Sequence, residues 1–480
     1  MYLGIDIGTS GVKALLLDQS HRVIGSCSAP LSVSRPAPNW SEQDPDDWIK
    51  AVIKAIDNLQ SLYPKKLSAV SGIGLSGQMH GAVLLGSNDK PLRPCILWND
   101  GRSEEQCKQL SQLANFESIT GNQVMPGFTA PKLKWVEQNE PEVFNKIHKV
   151  LLPKDYVRLW LTGAYGSDLS DSSGTLWLNI SERDWSETLL NTTNLSKDHM
   201  PELFEGNAIT GQLRPDLAKL WLMNSVIVAG GGGDNAASAC GMGVVVPGTG
   251  FISLGTSGVV FAPTDTPQPN TQNGVHSFCH AFPGMWHNMG VILSAADSLN
   301  WLASLTNSSV DSIVNTLPEK IKKPSGVQFL PYLAGERTPH NDASARGAFV
   351  GLQRTTSHQD LVQAVMEGVA FALTDCLKAM TVAGTELNSA FVVGGGCASP
   401  QWLEIISAAM NLDLLVSEQG HYGAALGAAR LAFVAATGES IKDICLPPSV
   451  SNRVRANTSL TEQYQLSYEK YCTLYPSLYN

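Results

Sequence analysis

The sequence predicts an α/β protein built from two related halves, and two observations carry this prediction. In the first hundred residues, apolar segments and turn signals follow one another in the order strand, strand, strand, helix, strand. The tetrapeptide Gly-Thr-Ser-Gly occurs at residues 8–11 and again at residues 255–258, each time between two apolar segments. A motif repeated in the same strand–turn–strand setting indicates an internal duplication, with a period close to half of the 480 residues.

The elements of the first half follow from local pattern. Residues 2–7, 12–17 and 23–27 are short apolar runs separated by turns, which predicts three successive strands. An Asp-Pro pair at residues 44–45 is typical of a helix N-cap followed by proline in the first turn. A buried strand is predicted near residues 70–75. The helix between these segments presents one apolar face, formed by Trp48, Val52, Ile56 and Leu59.

The second half repeats the opening pattern. Residues 251–254 and 259–262 are apolar strands on either side of the second Gly-Thr-Ser-Gly turn. A helix is predicted over residues 360–380, a strand over residues 390–393 and a further helix from Pro400.

Composition and charge exclude several classes of protein. The net charge is −10 and the pI about 5.5, so the chain offers no basic footprint for nucleic acid or an anionic membrane. Its start does not read as a secretory signal, and no apolar run reaches the roughly 20 residues of a membrane-spanning helix. Nine cysteines without a Cys-x-x-Cys pair are typical of reduced thiols. We therefore expect a cytoplasmic protein that binds neither nucleic acid nor membrane, and a homodimer is compatible with the sequence.

One glycine motif is misleading. Residues 72–77 match the G-x-G-x-x-G pattern of dinucleotide-binding proteins and follow a predicted strand. That pattern requires a helix that opens at the third glycine. Here residues 83–85 form another apolar strand and residues 87–90 a turn, so a nicotinamide oxidoreductase is disfavoured. The G-x-x-x-x-G-K-[ST] sequence of a P-loop is also missing.

The two Gly-Thr-Ser-Gly turns are candidates for phosphate binding. Small residues allow backbone N–H groups to approach phosphate oxygens, and side-chain hydroxyls and a lysine add donors. Two tight hairpins without a ligand are the alternative. The residues that we assign to ATP phosphates at these turns are Thr9, Ser10, Lys13, Gly255, Thr256 and Ser257.

Asp6 lies one residue before the first of these turns, inside an apolar strand. A carboxylate beside a phosphate loop suits Mg²⁺, bound directly or through water. The alternative is a solvated strand residue, which an acid in so apolar a strand makes less attractive. We therefore assign Asp6 to the metal.

Four glycines at residues 230–233 follow an apolar segment and precede Asp234 and Asn235. A capping role would explain Asp234 alone, but a cap does not need four glycines before it. A glycine run lets a substrate approach the backbone closely. Asp234 can then accept the proton of a sugar hydroxyl while that hydroxyl attacks a γ-phosphate.

Two polar loops are typical of carbohydrate sites, because an aromatic ring packs on C–H groups while amides bind hydroxyls. One loop holds Gln78, Met79 and His80 among glycines, and the other holds Trp98 and Asn99. Each loop alone is also compatible with an ordinary surface loop.

A third glycine run, at residues 394–396, lies between a strand and a helix and can receive part of a nucleotide at the helix N-terminus. We assign Gly395 and Gly396 to the nucleotide, with a packing turn as the alternative. A zinc site is disfavoured for the histidine-rich segment, because its spacing fits no strong zinc pattern. The residues concerned are His276, Cys279, His280 and His287.

Together these motifs resemble the FGGY family of carbohydrate kinases, which belongs to the larger actin, hexokinase and Hsp70 ATPase fold. The resemblance rests on the two turns, the Asp6 strand, the Asp234 loop and the late triple glycine. Residues 127–136 and 347–367 are also similar to signature segments of the family, and the matching residues run from residue 3 to about residue 430.

The resemblance implies two ribonuclease-H-like domains that flank a catalytic cleft. Residues 1–243 would bind the sugar and residues 244–480 would bind ATP, with Mg²⁺ near Asp6. Within the family, the chain is most similar to members that phosphorylate D-xylulose to D-xylulose 5-phosphate. The segments that carry this likeness are residues 40–45, 76–81, 98–102 and 329–339.

The resemblance also implies roles for single residues. Met79 and His80 would contact the ketopentose, Asp234 would be the general base, and Thr256 would hold ATP phosphates. Glycerol-specific members carry Arg-Glu where this chain has Met-His, so glycerol is disfavoured. Related kinases often carry Asn where this chain has Ser399 and the residues after it. The residues that we assign to the sugar are Gln78, Met79, His80, Trp98, Asn99, Asp234 and Asn235.

Two alternatives remain open. One is a kinase of this family that acts on another ketopentose or on a polyol. The other is an actin- or Hsp70-like ATPase that works on protein partners. The two polar loops and the glycine run before Asp234 argue against this second alternative, because they favour a small substrate.

Overall fold

The structure, a computed structural model, describes residues 1–418 and 420–479. It contains two large mixed β-sheets, one in each half of the chain, and several two-stranded ribbons. The strands are β1 Tyr2–Ile7, β2 Gly11–Leu17, β3 Val23–Pro30, β4 Glu42–Gln43, β5 Gly72–Gly77, β6 Val83–Leu85, β7 Cys95–Ile96, β8 Lys149–Leu151, β9 Ser167–Asp168, β10 Leu178–Asn179, β11 Asp184–Trp185, β12 Leu203–Phe204, β13 Ile209–Gln212, β14 Ile227–Ala229, β15 Gly232–Gly233, β16 Gly248–Leu254, β17 Gly258–Thr264, β18 His276–Cys279, β19 Trp286–Ile292, β20 Gln328–Leu330, β21 Ala348–Val350, β22 Leu387–Val393, β23 Asp413–Val416 and β24 Asn452–Val454.

Helices cover both sheets and fill the long connection between β5 and β14. The α-helices are α1 Pro45–Leu62, α2 Pro64–Leu67, α3 Glu104–Leu113, α4 Phe116–Thr120, α5 Thr129–Asn139, α6 Pro141–Phe144, α7 Pro153–Thr162, α8 Leu169–Ser172, α9 Glu187–Thr192, α10 Pro215–Leu220, α11 Asp234–Met242, α12 Ala296–Leu305, α13 Val310–Val314, α14 His358–Val382, α15 Pro400–Met410, α16 Gly423–Thr437, α17 Ile441–Ile444, α18 Thr458–Cys472 and α19 Leu474–Tyr479. Short 3₁₀ turns lie at Ser173–Thr175, Lys197–His199, Thr271–Asn273, Gly395–Ala398 and Gly420–Tyr422.

The two large sheets have the same topology, which confirms the internal duplication. In the first sheet, β2 pairs antiparallel with β1 and β3, while β5 lies parallel to β1 and to β14. In the second, β17 pairs antiparallel with β16 and β19, while β22 lies parallel to β16 and to β23. Each Gly-Thr-Ser-Gly turn therefore joins the first two strands of its own sheet.

The local signals behave as their chemistry predicts. The side chain of Asp44 caps α1 by accepting the N–H of Asp46, with Pro45 in the first turn. Ser357 and Asp360 form a capping box at the start of α14. Residues 72–77 are strand over their whole length, and the next element is the strand β6, so the dinucleotide pattern is indeed misleading here.

One helix of the second half packs on the first sheet. Helix α16 contacts β1, β5 and the helix α11. The approach is very close, because a Cβ added to Gly4 or Gly74 would lie 1.9 Å from the carbonyl oxygen of Ala425 or Ala428. Only glycine on these two strands permits such contact. The apolar cluster around α11 and α16 therefore joins the two halves of the molecule.

Within the part of the chain that the structure describes, no helix is long and apolar enough to cross a membrane. All nine cysteines are free thiols, as the sequence predicts.

Candidate active site

A cleft of about 260 Å³ opens between the two halves. The first half contributes Met79, His80, Trp98, Asp234 and Asn235, all of which the sequence predicts as substrate residues. The second half contributes side chains from β16 to β19 and from the segment after β20. These include Ser253, Ser257, His276, Phe278 and Arg337, of which only Ser257 was expected at the site.

Asp234 is the first residue of α11 and follows the glycine loop at residues 230–233. Its Oδ1 atom accepts hydrogen bonds from the backbone N–H of Asn235 at 2.7 Å and from Nδ2 of the same residue at 2.9 Å. Burial, and then the charge of Asp6, raise the pKa of Asp234 to about 7. The carboxyl group is therefore oriented by one oxygen, and the other is available as a base near neutral pH.

The glycine loop is held from below by α8. The N–H of Gly233 donates to Oγ of Ser170 at 3.1 Å, and that hydroxyl donates in turn to Asp168. At the first two positions of this loop, glycine is required for packing and not for the substrate contact that we expected. A Cβ on Gly230 would lie 2.2 Å from the carbonyl oxygen of Glu205, and Gly231 has a φ of 73°. These two glycines let the loop pack against the protein's own backbone.

A fully buried group of charges lies under the same loop. Nζ of Lys154 is 2.5 Å from Asp155, 2.7 Å from Asp168 and 3.2 Å from Asp171. The guanidinium of Arg158 donates to the carbonyl oxygens of Ala229 and Gly230. None of these side chains is exposed to solvent. Buried charges need partners, and here the carboxylates pair with Lys154 and Arg158, while Arg158 also bonds to the backbone that leads to Asp234.

His80 has a defined tautomer. Its Nδ1 lies 2.7 Å from the carbonyl oxygen of Gly174, and because a carbonyl only accepts, Nδ1 carries the proton. Burial lowers the pKa of His80 to about 3, so the ring is neutral. Nε2 is therefore an acceptor at the cleft. The carbonyl of His80 accepts from Lys132 and Thr129, which lie in the family-like segment at residues 127–136.

The first Gly-Thr-Ser-Gly turn is bonded to the two polar loops. Oγ1 of Thr9 donates to Gln78 and accepts from Nε1 of Trp98, both at 3.0 Å. The amide nitrogen of Gln78 donates to Gln43 at 2.9 Å. Gln78 is buried and outside the cleft lining, so its amide holds the two loops together, while Asn99 is exposed beside Trp98.

Asp6 and Lys13 are cross-strand partners on β1 and β2. Oδ1 of Asp6 is buried and accepts no hydrogen bond from the residues that the structure describes. Burial raises the pKa of Asp6, and the nearby hydroxyl of Ser76 on β5, and then the charge of Lys13, oppose that rise. A buried carboxylate oxygen without a donor is suited to a cation, because hard divalent ions prefer oxygen ligands.

The second turn is fixed by the helix that follows the sheet. The carbonyl oxygens of Gly255 and Thr256 accept the N–H groups of Ala296 and Ala295 at 2.8 Å. This leaves the hydroxyl of Ser257 at the cleft, opposite the half that carries Asp234.

A second cavity, of about 480 Å³, lies behind this turn in the second half. Gly395 and Gly396 line it, as expected of nucleotide residues, together with side chains that sequence reasoning missed. Asn300 of α12, Asn315 after α13 and Gln401 of α15 supply amide groups at its wall. Asn300 and Asn315 carry no spacing signal in the sequence, whereas Gln401 is one of the residues after Ser399 that stand where related kinases often carry Asn.

Among the described residues, no group of three or more His, Cys, Asp or Glu side chains is arranged to hold a metal ion. His276 lies with Nδ1 3.1 Å from Oδ1 of Asn122, across the two halves. Its ring stacks on Phe278, and the ring of His287 stacks on Phe261. His276 and Phe278 therefore form an aromatic wall of the cleft, and the stacked pair of Phe261 and His287 belongs to the same aromatic cluster.

This chain is similar to known proteins over most of its length. Models of the FGGY family of carbohydrate kinases match it twice, the N-terminal domain over residues 1–241 and the C-terminal domain over residues 250–436. A xylulose kinase of Escherichia coli (strain K12) is 47% identical over 441 residues, covering 92% of this chain and 91% of that protein. The crystal structure of a xyloylose kinase from Brucella ovis superposes with a TM-score of 0.98 and 54% identity, covering 99% of both chains.

Proposed function

The chain belongs to the FGGY family of carbohydrate kinases, and we propose that it transfers the γ-phosphoryl group of ATP to D-xylulose. The products are D-xylulose 5-phosphate and ADP. The family membership implies an ATP-dependent sugar kinase, and similarity to xylulose kinases over nine-tenths of the chain supports the choice of sugar.

The observation that carries the mechanism is the geometry of Asp234. Its Oδ1 accepts two hydrogen bonds from Asn235, and Asp234 lines the cleft together with His80 and Ser257. Asp234 is our general base, because its raised pKa suits a group that must both take and hold a proton near neutral pH.

The transfer needs one bond to form and one to break. The oxygen of the terminal primary hydroxyl attacks the γ-phosphorus in line, and its proton passes to Oδ2 of Asp234. The bond between the γ-phosphorus and the bridging oxygen breaks, and ADP leaves with that oxygen. Because phosphoryl transfer asks little covalent work of the protein, orientation by the turns and the loops supplies most of the rate enhancement.

We assign Mg²⁺ to the side of Asp6, where the buried Oδ1 lacks a hydrogen-bond donor among the described residues. A divalent cation there would neutralise charge on the phosphate oxygens. Asp6 would bind it directly or through water, and Lys13 would add positive charge on the neighbouring strand.

We assign the phosphates of ATP to the two turns, through Thr9, Ser10, Lys13, Gly255, Thr256 and Ser257. Thr9 already bonds to Gln78 and Trp98, so it links the phosphate turn to the sugar loops. The adenosine would occupy the second cavity, beside Gly395, Gly396 and the three amide side chains at its wall.

The sugar would lie against Met79, His80, Trp98 and Asn235. The acceptor Nε2 of His80 suits a hydroxyl donor, and the half-exposed ring of Trp98 offers a face to C–H groups. Gln78 would act through the position of the two loops, because both ends of its amide are bonded within the protein. Asn99 lies beside Trp98 and would reach the sugar only from the rim.

A coupled assay of ADP release tests the function. We expect D-xylulose to give the highest kcat/KM in a panel of pentuloses, hexuloses, glycerol and gluconate. A higher value for another ketopentose would move the substrate but keep the kinase. Turnover that no sugar changes would favour an ATPase that works on protein partners, and the absence of ADP release would refute a kinase.

We also propose that the enzyme works in the cytoplasm, in keeping with its nine free thiols. The division of labour between residues 1–243 and 244–480 and a homodimeric state stay predictions. Light scattering at micromolar concentration measures the oligomeric state directly.

A further inference from the structure

Arg337 is a cation at the cleft that no motif predicted. It lies in the segment between β20 and β21 of the second half, and its side chain lines the cleft that also contains His80 and Trp98 of the first half. The substrate residues assigned so far on the sugar side belong to the first half. Arg337 therefore faces them from the opposite wall.

The backbone around Arg337 is held on both sides. Oε1 of Glu336 accepts the N–H of Arg337 at 2.7 Å and that of Leu293 at 3.1 Å. Thr338 donates its N–H to the carbonyl of Val291, and its hydroxyl accepts the N–H of the same residue, both at 3.0 Å. The segment is thus tied to the end of β19, which forms the wall of the cleft.

The guanidinium has no anionic partner in residues 1–418 and 420–479. No carboxylate oxygen of these residues lies within ion-pair distance of the guanidinium. In the neighbouring Glu336, one carboxyl oxygen accepts two backbone N–H groups. A guanidinium carries five N–H donors and no acceptor. In a cleft lined by Phe278, Val259 and Met289, donors without acceptors are costly, so a ligand oxygen is favoured there.

The charge of Arg337 acts on one end of the cleft. Burial first, and then this charge among others, lower the pKa values of His80 and His276. The pKa of Asp234 is instead set by burial, Asp6 and Asn235. Both histidines are neutral and cannot balance the cation. The geometry agrees, because the backbone of Arg337 lies against Gly274, two residues before His276, and the hydroxyl of Thr338 donates to the Gly274 carbonyl at 2.9 Å.

We propose that Arg337 is a substrate-binding residue that donates hydrogen bonds to the carbonyl oxygen of an open-chain ketose and so selects ketoses over polyols. The inference rests on the proposed function, which puts the terminal hydroxyl of the sugar at Asp234. The carbonyl at the second carbon then lies at the far end of the chain, on the side of His80 and Arg337. A carbonyl oxygen only accepts, which matches a group that only donates. A polyol hydroxyl at that place carries a proton that Arg337 cannot accept, and it would have to compete for the acceptor Nε2 of His80 with the sugar hydroxyl already assigned to that atom.

The position of Arg337 gives it a second consequence. A sugar bound by His80 and Trp98 from one half and by Arg337 from the other bridges the cleft. The hydrogen bond to the carbonyl therefore also favours the arrangement in which the two halves enclose the substrate.

The test compares ketose and polyol ligands in the full-length enzyme. D-xylulose is the substrate, and xylitol and D-arabitol, its two reduced forms, are competitive ligands. For Arg337→Met we expect kcat/KM for D-xylulose to fall about 10- to 100-fold, mainly through KM, because a hydrogen bond to a charged donor is lost. The inhibition constants of the polyols should change less than threefold, and KM for ATP less than twofold. Arg337→Lys should recover part of the loss.

Arg346→Met is the matched control, because this arginine lies in the same segment but is exposed outside the cleft. We expect wild-type constants for it. An equal loss for D-xylulose and both polyols in Arg337→Met, or no loss at all, would overturn the proposal. If Arg337→Met has a lowered melting temperature, Arg337→Gln, which keeps donors without the charge, must show the same selective loss. A wild-type enzyme inactive on D-xylulose would instead refute the proposed function.

Discussion

His80 donates its Nδ1–H to the carbonyl oxygen of Gly174, over 2.7 Å, and the same glycine leaves the ring its space. A Cβ on Gly174 would lie 2.5 Å from Nδ1 of His80 and 3.0 Å from the methyl group of Met79. The backbone of His80 is already in the left-handed region, with a φ of 69°. The position of the ring therefore depends on a residue almost a hundred positions away.

We predict that Gly174→Ala displaces His80 and raises KM for D-xylulose by about fivefold, since a hydroxyl–imidazole bond is worth about 1 kcal/mol. KM for ATP should stay within twofold. Gly101→Ala is the control, because a Cβ there meets only ordinary contacts, the nearest at 3.5 Å. Steady-state kinetics on both variants check this, and equal KM values for the sugar would contradict the role given to His80.

Ser170 supports the loop before the base. Ser170→Ala removes the acceptor of the Gly233 N–H and frees the loop from Asp168. We expect kcat to fall about tenfold, because small displacements of a reacting group are costly, with little change in KM. Ser172→Ala is the control: its hydroxyl bonds to Ser167 in the same buried region and does not contact the loop. If both variants lose activity equally, general loosening explains the effect.

Asp234→Asn removes the proton acceptor and keeps the shape of the side chain. General-base catalysis contributes about 10²- to 10⁴-fold, so we expect kcat to fall by that range while the sugar still binds. Isothermal titration measures the binding and a coupled assay the rate. A variant with near-normal kcat would remove Asp234 from the mechanism.

The same substitution should stabilise the protein at alkaline pH. The pKa of Asp234 is raised in the folded state, so this carboxyl favours folding below its unfolded pKa and loses that contribution as the pH rises through about 7. Asparagine carries no such charge. We expect the melting temperature of Asp234→Asn to exceed that of the wild type by a few degrees at pH 8 and by much less at pH 5. A difference independent of pH would contradict the raised pKa.

The pH profile gives an independent measure of the base. We expect kcat/KM for the sugar to fall tenfold per pH unit below about pH 7, because Asp234 must be ionised. Burial also lowers the pKa of Lys132 to about 7, but lysine loses its charge as the pH rises, so its effect has the opposite sign. The residual rate of Asp234→Asn should lack the acid limb. A limb near pH 4 would indicate a base with an ordinary pKa.

The triple glycine separates nucleotide binding from packing. A Cβ on Gly395 meets nothing within 4 Å, whereas one on Gly396 would lie 2.8 Å from Leu254 and 2.9 Å from the ring of Trp402. We expect Gly395→Val to raise KM for ATP about tenfold with an unchanged melting temperature. Gly396→Ala should lower the melting temperature, because its neighbours are a strand and a buried ring. An unchanged KM for ATP in Gly395→Val would indicate that the nucleotide does not bind in this cavity.

Much of the fold follows from the sequence, because its signals are local. Alternating apolar runs and the turns at residues 8–11 and 255–258 predict the strands of both sheets and their duplication. Asp234 is marked by the glycines before it, although two of those glycines turned out to serve packing. The polar loops with His80 and Trp98 do lie together at one cleft.

The rest of the site depends on contacts between distant residues, which a single sequence does not reveal. Lys154 and Asp168 are 14 residues apart and meet under a loop some 60 residues further on. Gln78 has the amide group expected of a sugar-binding residue. In the structure, however, its amide oxygen accepts from Thr9 and its amide nitrogen donates to Gln43. Arg337 lies in the family-like segment at residues 329–339, but no pattern there gave it a role, and only the structure places it at the cleft.

The packing of α16 on β1 and β5 bears on how the chain is made. During synthesis, the strands β1 and β5 emerge more than 300 residues before the helix that covers them. The first half therefore leaves the ribosome with an apolar surface open, and it can close that surface only after residue 437 has been translated. A fragment that ends between the two halves would keep its strands but lose the cover that α16 gives to β1 and β5, so we expect the first half alone to expose apolar surface.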